Sequence, residues 1–274
     1  MQLKIENLEF GYTADTPVLK DINLELTGPK FVSILGPNGV GKSTLIHCIN
    51  KILVPTGGKV FIDGQDVAEI NIKELAKIIG YVPYSANDTF PLSVIDTVLM
   101  GRHPYSNWKS LDSDLRIVYK TLRTLGITHL SMRPFNELSA GQHQKVMLAR
   151  GLVQEPKILL LDEPTSNLDV RHQIAVTKLL KKLSAEQEIL VIMISHDINI
   201  AARYSDEIIM LFNGGIYANG VPSEVITPEN LKEVYGVEAR VIEDGGRPYV
   251  ILDDALPMDD EEEPPEGEGA GAED

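Results

Sequence analysis

Eight residues constrain this chain more than any others: Gly36-Pro37-Asn38-Gly39-Val40-Gly41-Lys42-Ser43 fits G-x-x-x-x-G-K-[ST]. The octapeptide follows the apolar run Phe31 to Leu35 and precedes a stretch with helical spacing, the strand, loop and helix order in which such a loop works. Backbone amides converge on a phosphate only where the chain adopts unusual angles and leaves room, and glycine supplies both. The following helix N-terminus adds about half a positive charge. Lys42 adds a full charge for terminal phosphates, Thr44 continues the motif into the helix, and Ser43 offers a hydroxyl to Mg2+. The motif predicts a phosphate-binding loop within an α/β fold.

Three further runs resemble Phe31 to Leu35: Ile78 to Val82, Ile158 to Leu161 and Ile189 to Ile194. Such runs do not alternate, as expected of parallel strands covered on both faces. Segments with helical spacing separate them, which predicts crossover helices. The start of the chain differs. Leu3, Ile5, Ile22, Leu24 and Leu26 alternate with polar residues, the pattern of half-buried antiparallel strands. About 75 residues separate the second and third runs, more than a crossover requires. Ser93 to Val153 reads mainly as helix, so a helical subdomain is expected there. Asn213-Gly214-Gly215 and Gly245-Gly246 sit between apolar runs and signal hairpins.

The run Ile158 to Leu161 ends in Asp162-Glu163. Strands buried on both faces place carboxylates only at their ends, and ligands of open α/β sheets gather at the carboxyl ends. Asp162 is expected in the Mg2+ shell and Glu163 beside a water attacking the γ-phosphate. His196 directly follows another such run, within reach of the same phosphate; its alternative is a turn satisfied by Ser195 or Asp197. Ser139 to Gln142 reads as a capping box, S-x-x-Q. It also exposes Ser139 and Gly141 at a helix N-terminus, a second phosphate-binding surface. Two such surfaces in one chain suggest two chains around one nucleotide.

Together these motifs resemble the ATP-binding subunit of ABC transporters over about residues 1 to 235. The matching features are the loop Gly36 to Ser43, the signature Leu138-Ser139-Ala140-Gly141-Gln142, the pair Asp162-Glu163, the D-loop-like Ser166-Asn167-Leu168-Asp169 and the switch-like His196. The resemblance implies a P-loop NTPase core of the ABC type, with an antiparallel β subdomain and an inserted α-helical subdomain over about 85–155. A hairpin extension follows at 236–253. It implies ATP and Mg2+ as ligands, adenine stacked on Tyr12, and a head-to-tail dimer with ATP between one loop and the partner's signature. Asp169 would link the two sites. Glu163, Lys42 and His196 would carry catalysis.

One departure stands out: Tyr84 occupies the position where the family usually has Gln. A phenol is the poorer neutral ligand for Mg2+, so weakened coupling, substitution by Ser85 or Asn87, or a harmless change are all open; lowered but not abolished hydrolysis is expected. Val98 to Tyr105, Thr227-Pro228-Glu229-Asn230-Leu231 and Tyr235-Gly236-Val237 are similar to the subfamily importing iron-siderophores, haem and cobalamin, with molybdate importers among its relatives. These segments report lineage; apart from it, Arg102 and His103 read as a solvated loop. The resemblance also implies a membrane permease, docked near Tyr84 to Met100 where Phe90-Pro91-Leu92 and Val94 offer apolar surface, and an extracytoplasmic substrate-binding protein. A soluble ABC ATPase without transport and a non-catalytic ATP-sensing scaffold are the rival readings.

Composition narrows the setting. Of the net charge of −15, eleven acidic residues fall in 253–274 with no Lys or Arg, leaving −4 for the rest. The tail from 254 is expected to be disordered and solubilising. Neither part has the basic footprint of a nucleic-acid binder. Cys48, the single cysteine, excludes an intramolecular disulfide and reads as core. No apolar run approaches the roughly 18 residues of a membrane span, and the first residues lack a signal-peptide pattern. A cytoplasmic protein, peripheral on the inner membrane face, is expected. Trp108 reads as a loop residue or a partner contact.

Overall fold

The computed structural model describes residues 1–13, 16–84, 92–105 and 111–256. Ser85, Asn87, Phe90, Pro91, Trp108 and the acidic segment from Pro257 lie outside the described residues. In chain order the strands are β1 (Gln2–Thr13), β2 (Thr16–Thr27), β3 (Lys30–Leu35), β4 (Gly57–Ile62), β5 (Gln65–Asp66), β6 (Ile79–Val82), β7 (Ile158–Leu161), β8 (Leu190–Ile194), β9 (Glu207–Phe212), β10 (Gly215–Gly220), β11 (Val237–Asp244) and β12 (Arg247–Ala255). The helices are α1 (Lys42–Ile49), α2 (Ile72–Ile78), α3 (Val94–Leu99), α4 (Leu111–Thr124), α5 (Ala140–Leu152), α6 (Val170–Gln187), α7 (Ile198–Tyr204), α8 (Pro222–Val225) and α9 (Pro228–Tyr235).

The four apolar runs become β3, β6, β7 and β8, lying side by side in a sheet of order β10-β9-β3-β8-β7-β6. All pairs in it are parallel except β9 with β10. Each buried strand divides its side chains between two cores, because successive residues point to opposite faces. Val32, Ile34, Ile158, Leu160, Leu190, Ile192 and Ile194 pack toward α1 and the antiparallel sheet β2-β1-β4-β5. Phe31, Leu159, Leu161, Val191 and Met193 pack toward α3, α4, α5 and α6. That division is why the runs do not alternate. Leu3, Ile5, Ile22, Leu24 and Leu26 do alternate, and all are buried on the inner face of the antiparallel sheet.

β4 is a strand the sequence pattern did not single out; it pairs with β1 on one side and with the short β5 on the other. A third core collects Leu35, Ala201, Met210, Val225, Leu231, Val234 and Val250. Leu35 is the residue just before the glycine-rich loop, so this C-terminal core reaches the site. Two-residue turns at Asn213-Gly214 and Gly245-Gly246, all four with positive φ, close the β9–β10 and β11–β12 hairpins. Arg102 is not the solvated side chain that its loop setting suggested. It is buried, its Nε donating to Asp114 at 2.8 Å and an Nη to the Val153 carbonyl at 2.9 Å. Its guanidinium lies 4.0 Å from the centre of the Tyr105 ring.

Candidate functional site

Gly36 to Gly41 leave the carboxyl end of β3 and lead directly into α1, so the loop sits where the sheet directs its ligands. Gly36 has φ 143° and Gly41 φ 102°. A Cβ on Gly36 would collide with the Leu211 carbonyl oxygen, and one on Gly41 would lie 2.8 Å from Leu19 Cδ2. No side chain caps the N-terminus of α1, leaving its first amides open to an anion. Asn38 and Gly39 are exposed at the loop tip, while Pro37 and Val40 are half-buried.

Lys42 is only 5% exposed. Its Nζ donates to the carbonyls of Gly36 at 2.8 Å and Pro37 at 2.7 Å, which folds the ammonium back over the loop. Burial lowers its pKa, opposed by the negative charges of Glu163 and Asp162. The Ser43 hydroxyl donates to Asp162 Oδ1 at 2.9 Å, joining two residues 119 positions apart. Burial raises the Asp162 carboxyl above its ordinary value, against the downward pull of the Ser43 hydroxyl. One turn further along α1, His47 Nε2 lies 3.0 Å from the Tyr81 hydroxyl of β6. Burial, with the charge of Asp162, pushes that phenol up to about 12.

Glu163 follows with φ 47°, a left-handed backbone uncommon outside glycine. Its carbonyl accepts the Ser166 amide at 3.3 Å and the Ser166 hydroxyl at 3.1 Å. Its carboxylate meets His196 Nε2 at 2.6 Å. Ser195 and Asp197 bond each other instead, at 3.2 Å. The dyad lines a cleft of about 530 Å³ that also contains Thr165, Gln173, Asn199 and Val250. There the Asn199 side chain pairs with the Val250 backbone, accepting at 2.7 Å and donating at 3.1 Å. Tyr12 is 66% exposed, its ring 5.0 Å from Phe10 in a T-shaped pair and its hydroxyl 3.5 Å from Thr44 Oγ1. An aromatic face beside the loop is thus open to solvent.

The signature residues occupy a different part of the surface. Ser139 caps α5: the Gln142 amide donates to its hydroxyl at 3.4 Å, and the Ser139 amide donates to Gln142 Oε1 at 3.1 Å. Gly141 faces α6, where a Cβ would lie 2.7 Å from the His172 ring. That ring reaches both oxygens of Asp169, at 2.8 and 2.9 Å. Among the described residues, no hydrogen bond or ion pair joins Ser139, Gly141 or Gln142 to the loop at Gly36. One chain therefore carries a phosphate cradle and a separate capped N-terminus. Tyr84 is 49% exposed and lines a smaller cleft with Leu138, His143, Glu163 and Asn167.

Three side chains at or beside the site escaped the sequence reading: Tyr235, Asn199 and His172. Only His172 has a local signal, standing three residues after an Asp that caps a helix. The others touch partners far away in sequence.

A family model for the ABC transporter matches residues 19–166. The chain belongs to the ABC transporter family. It is 47% identical over 251 residues to an uncharacterized ABC transporter ATP-binding protein of Methanocaldococcus jannaschii, covering 92% of this chain and 98% of that one. It is 36% identical over 256 residues to the ferric enterobactin transport ATP-binding protein of Escherichia coli, covering 91% of this chain and 93% of that one. Among solved structures, an inward-facing ABC transporter classed as metal-chelate type matches with TM-score 0.79 at 30% identity, over 91% of this chain and 96% of that one. A dimeric bacterial ABC transporter cassette matches with TM-score 0.71 at 31% identity, over 80% of this chain and 98% of that one. The ABC ATPase fold follows from this likeness and from the mixed sheets and helices described above.

Proposed function

We propose that this chain is the ATP-hydrolysing subunit of an ABC importer for a metal chelate such as an iron-siderophore, haem or cobalamin. The observation that carries the reading is the Glu163–His196 contact at 2.6 Å, next to the Asp162 carboxylate that takes the Ser43 hydroxyl. The ferric enterobactin relative and the metal-chelate type structure support the cargo class.

The residues present fit the implied ligands. A loop without room for Cβ atoms and an uncapped helix N-terminus suit a triphosphate. A hydroxyl and a carboxylate at 2.9 Å are hard oxygen donors of the kind Mg2+ takes. Bound by Ser43 and Asp162, Mg2+ would neutralise charge building up on the terminal phosphates. Lys42 supplies a fixed cation to the same phosphates from within the loop. Glu163 accepts the proton of the attacking water, and His196 orients Glu163 through their hydrogen bond and lies ready to meet the γ-phosphate. Tyr12 offers its exposed face to adenine.

Ser139, Gly141 and Gln142 complete the ATP site of a second copy in a head-to-tail dimer, with Asp169 between the two sites; the dimeric cassette of similar fold supports this arrangement. Closure of that dimer moves a membrane permease. Val94, expected to offer apolar surface to it, is buried in the helical core instead; a groove of about 610 Å³ lined by Ile52, Ile72, Tyr81 and Met100 offers the apolar surface on which its cytoplasmic segments would rest. An extracytoplasmic binding protein delivers the cargo to that permease. No helix of the described residues is long and apolar enough to cross a membrane; the chain acts from the cytoplasmic side, bound to its permease.

The test is Glu163→Gln. The variant is expected to bind MgATP like the parent and to lose about 10²- to 10⁴-fold in turnover. Steady hydrolysis at the parental rate would remove Glu163 from its role and the proposed chemistry with it.

A further inference from the structure

Two sequence segments that signalled lineage, Thr227 to Leu231 and Tyr235-Gly236-Val237, play no part in the chemistry above. In the structure they begin and end one helix, α9. Thr227 caps it, accepting the Asn230 amide at 3.2 Å, and Pro228 opens it where a missing N–H costs nothing. The Asn230 side chain donates to the Val225 carbonyl at 2.9 Å, which fixes the helix start against α8. Leu231 and Val234 sink into the C-terminal core beside Leu35, the last residue of β3. Gly236, with φ 64°, stops the helix and turns the chain into β11, and the Leu256 amide ties back to the Gly236 carbonyl at 2.8 Å.

That packing brings Tyr235 to the phosphate loop. The Gly36 amide donates to the Tyr235 phenolic oxygen at 2.8 Å, across 199 residues of sequence. The β3 ladder ends at Leu35, so the next amide has no strand partner. Gly36 is buried, and a buried N–H without an acceptor is costly. No other acceptor for this amide occurs among the described residues. Burial pushes the phenol up to about 12, so the acceptor at the Gly36 amide is a neutral phenol.

We infer that Tyr235 is a positioning residue for the phosphate loop: it fixes the first loop amide and thereby the direction in which the chain leaves β3 toward Lys42. The inference rests on reading that loop as an ATP site. It assigns a task to the C-terminal helix, which buttresses the nucleotide site from behind without touching the nucleotide. Removing the phenolic oxygen leaves the Gly36 amide unsatisfied, and the loop relaxes away from the geometry that converges its other amides.

The experiment compares full-length parent, Tyr235→Phe and Leu231→Ala by MgATP titration and thermal melting. Tyr235→Phe removes only the acceptor and is expected to weaken MgATP binding by about five- to thirtyfold. Leu231→Ala loosens the same helix while leaving the phenolic acceptor in place; it should lower the melting temperature, and its folded fraction should lose less MgATP affinity than Tyr235→Phe does. Hydrogen exchange at the Gly36 amide reads the contact directly: protected in the nucleotide-free parent, accelerated in Tyr235→Phe. Equal MgATP affinity of parent and Tyr235→Phe would overturn the role of the tyrosine while leaving the ATP site standing. Solvent-like exchange of Gly36 in the parent would overturn it even if the variant did not fold. A parent that fails to bind MgATP would remove the ATP reading and this inference together.

Discussion

Burial and metal binding place opposite demands on Asp162. Removal from water favours its neutral form and raises its pKa, with the Ser43 hydroxyl only partly opposing this. A carboxyl whose folded pKa lies above its unfolded value favours folding below the unfolded pKa, and that contribution is lost as pH rises through the folded pKa. At neutral pH the ionised Asp162 is therefore a cost that bound cation offsets. Two results are expected. As pH falls, the Mg2+ concentration needed for half-maximal hydrolysis should rise, and added Mg2+ should restore the rate. Asp162→Asn should melt higher than the nucleotide-free parent at pH 7 yet lose most Mg2+-dependent turnover. A Mg2+ requirement independent of pH between about 5 and 7 would contradict this account of the carboxyl. At this scale the local residues were legible: Lys42, Ser43, Asp162 and Glu163 belong to short motifs whose chemistry is written in consecutive positions. Arg102 was not, because its partners Asp114, Val153 and Glu155 come from separate stretches of the chain. A lone Arg-His pair in a loop looks solvated until the fold supplies them.

Among the elements, α7 and β12 meet next to the Glu163–His196 pair. The Asn199 amide makes to Val250 the two hydrogen bonds that a neighbouring strand would make, and His196 lies three residues before it. Asn199→Ala cuts this link and frees the turn that carries His196. Turnover is expected to fall roughly tenfold with a smaller change in KM, since small displacements of a catalytic group are costly. Arg240→Ala, which breaks only an exposed pair with Asp253 on the same hairpin, should leave turnover unchanged. Equal loss in both variants would mean that the hairpin acts through stability alone. The four runs of the parallel sheet were readable as unbroken apolar stretches, within one residue at β3, β6 and β8. β4 was not: it opens on Gly57-Gly58, which weakens the strand signal, and only Val60 and Ile62 of its six residues are buried. Tyr235 escaped for another reason, because no spacing rule relates a helix end to a loop 199 residues earlier.

For the whole molecule, the decisive fact is division. The cradle at Gly36 and the capped helix at Ser139 both suit phosphate, yet each has its own partners, Asp162 for the one and His172 for the other. On the proposed reading these are two half-sites, which two copies arranged head to tail would turn into two complete ones. The sequence showed both halves, since each is a compact motif. It could not show that α6 packs against the signature glycine, because that contact exists only once the sheet has ordered the helices around it. The most direct test is the mass in solution of Glu163→Gln, a 30.2 kDa chain, by sedimentation with saturating MgATP. The mass is expected to double, and adding Ser139→Arg should return it to that of one chain without abolishing MgATP binding. A chain that stays monomeric with MgATP bound, or a dimer indifferent to Ser139→Arg, would contradict the shared site.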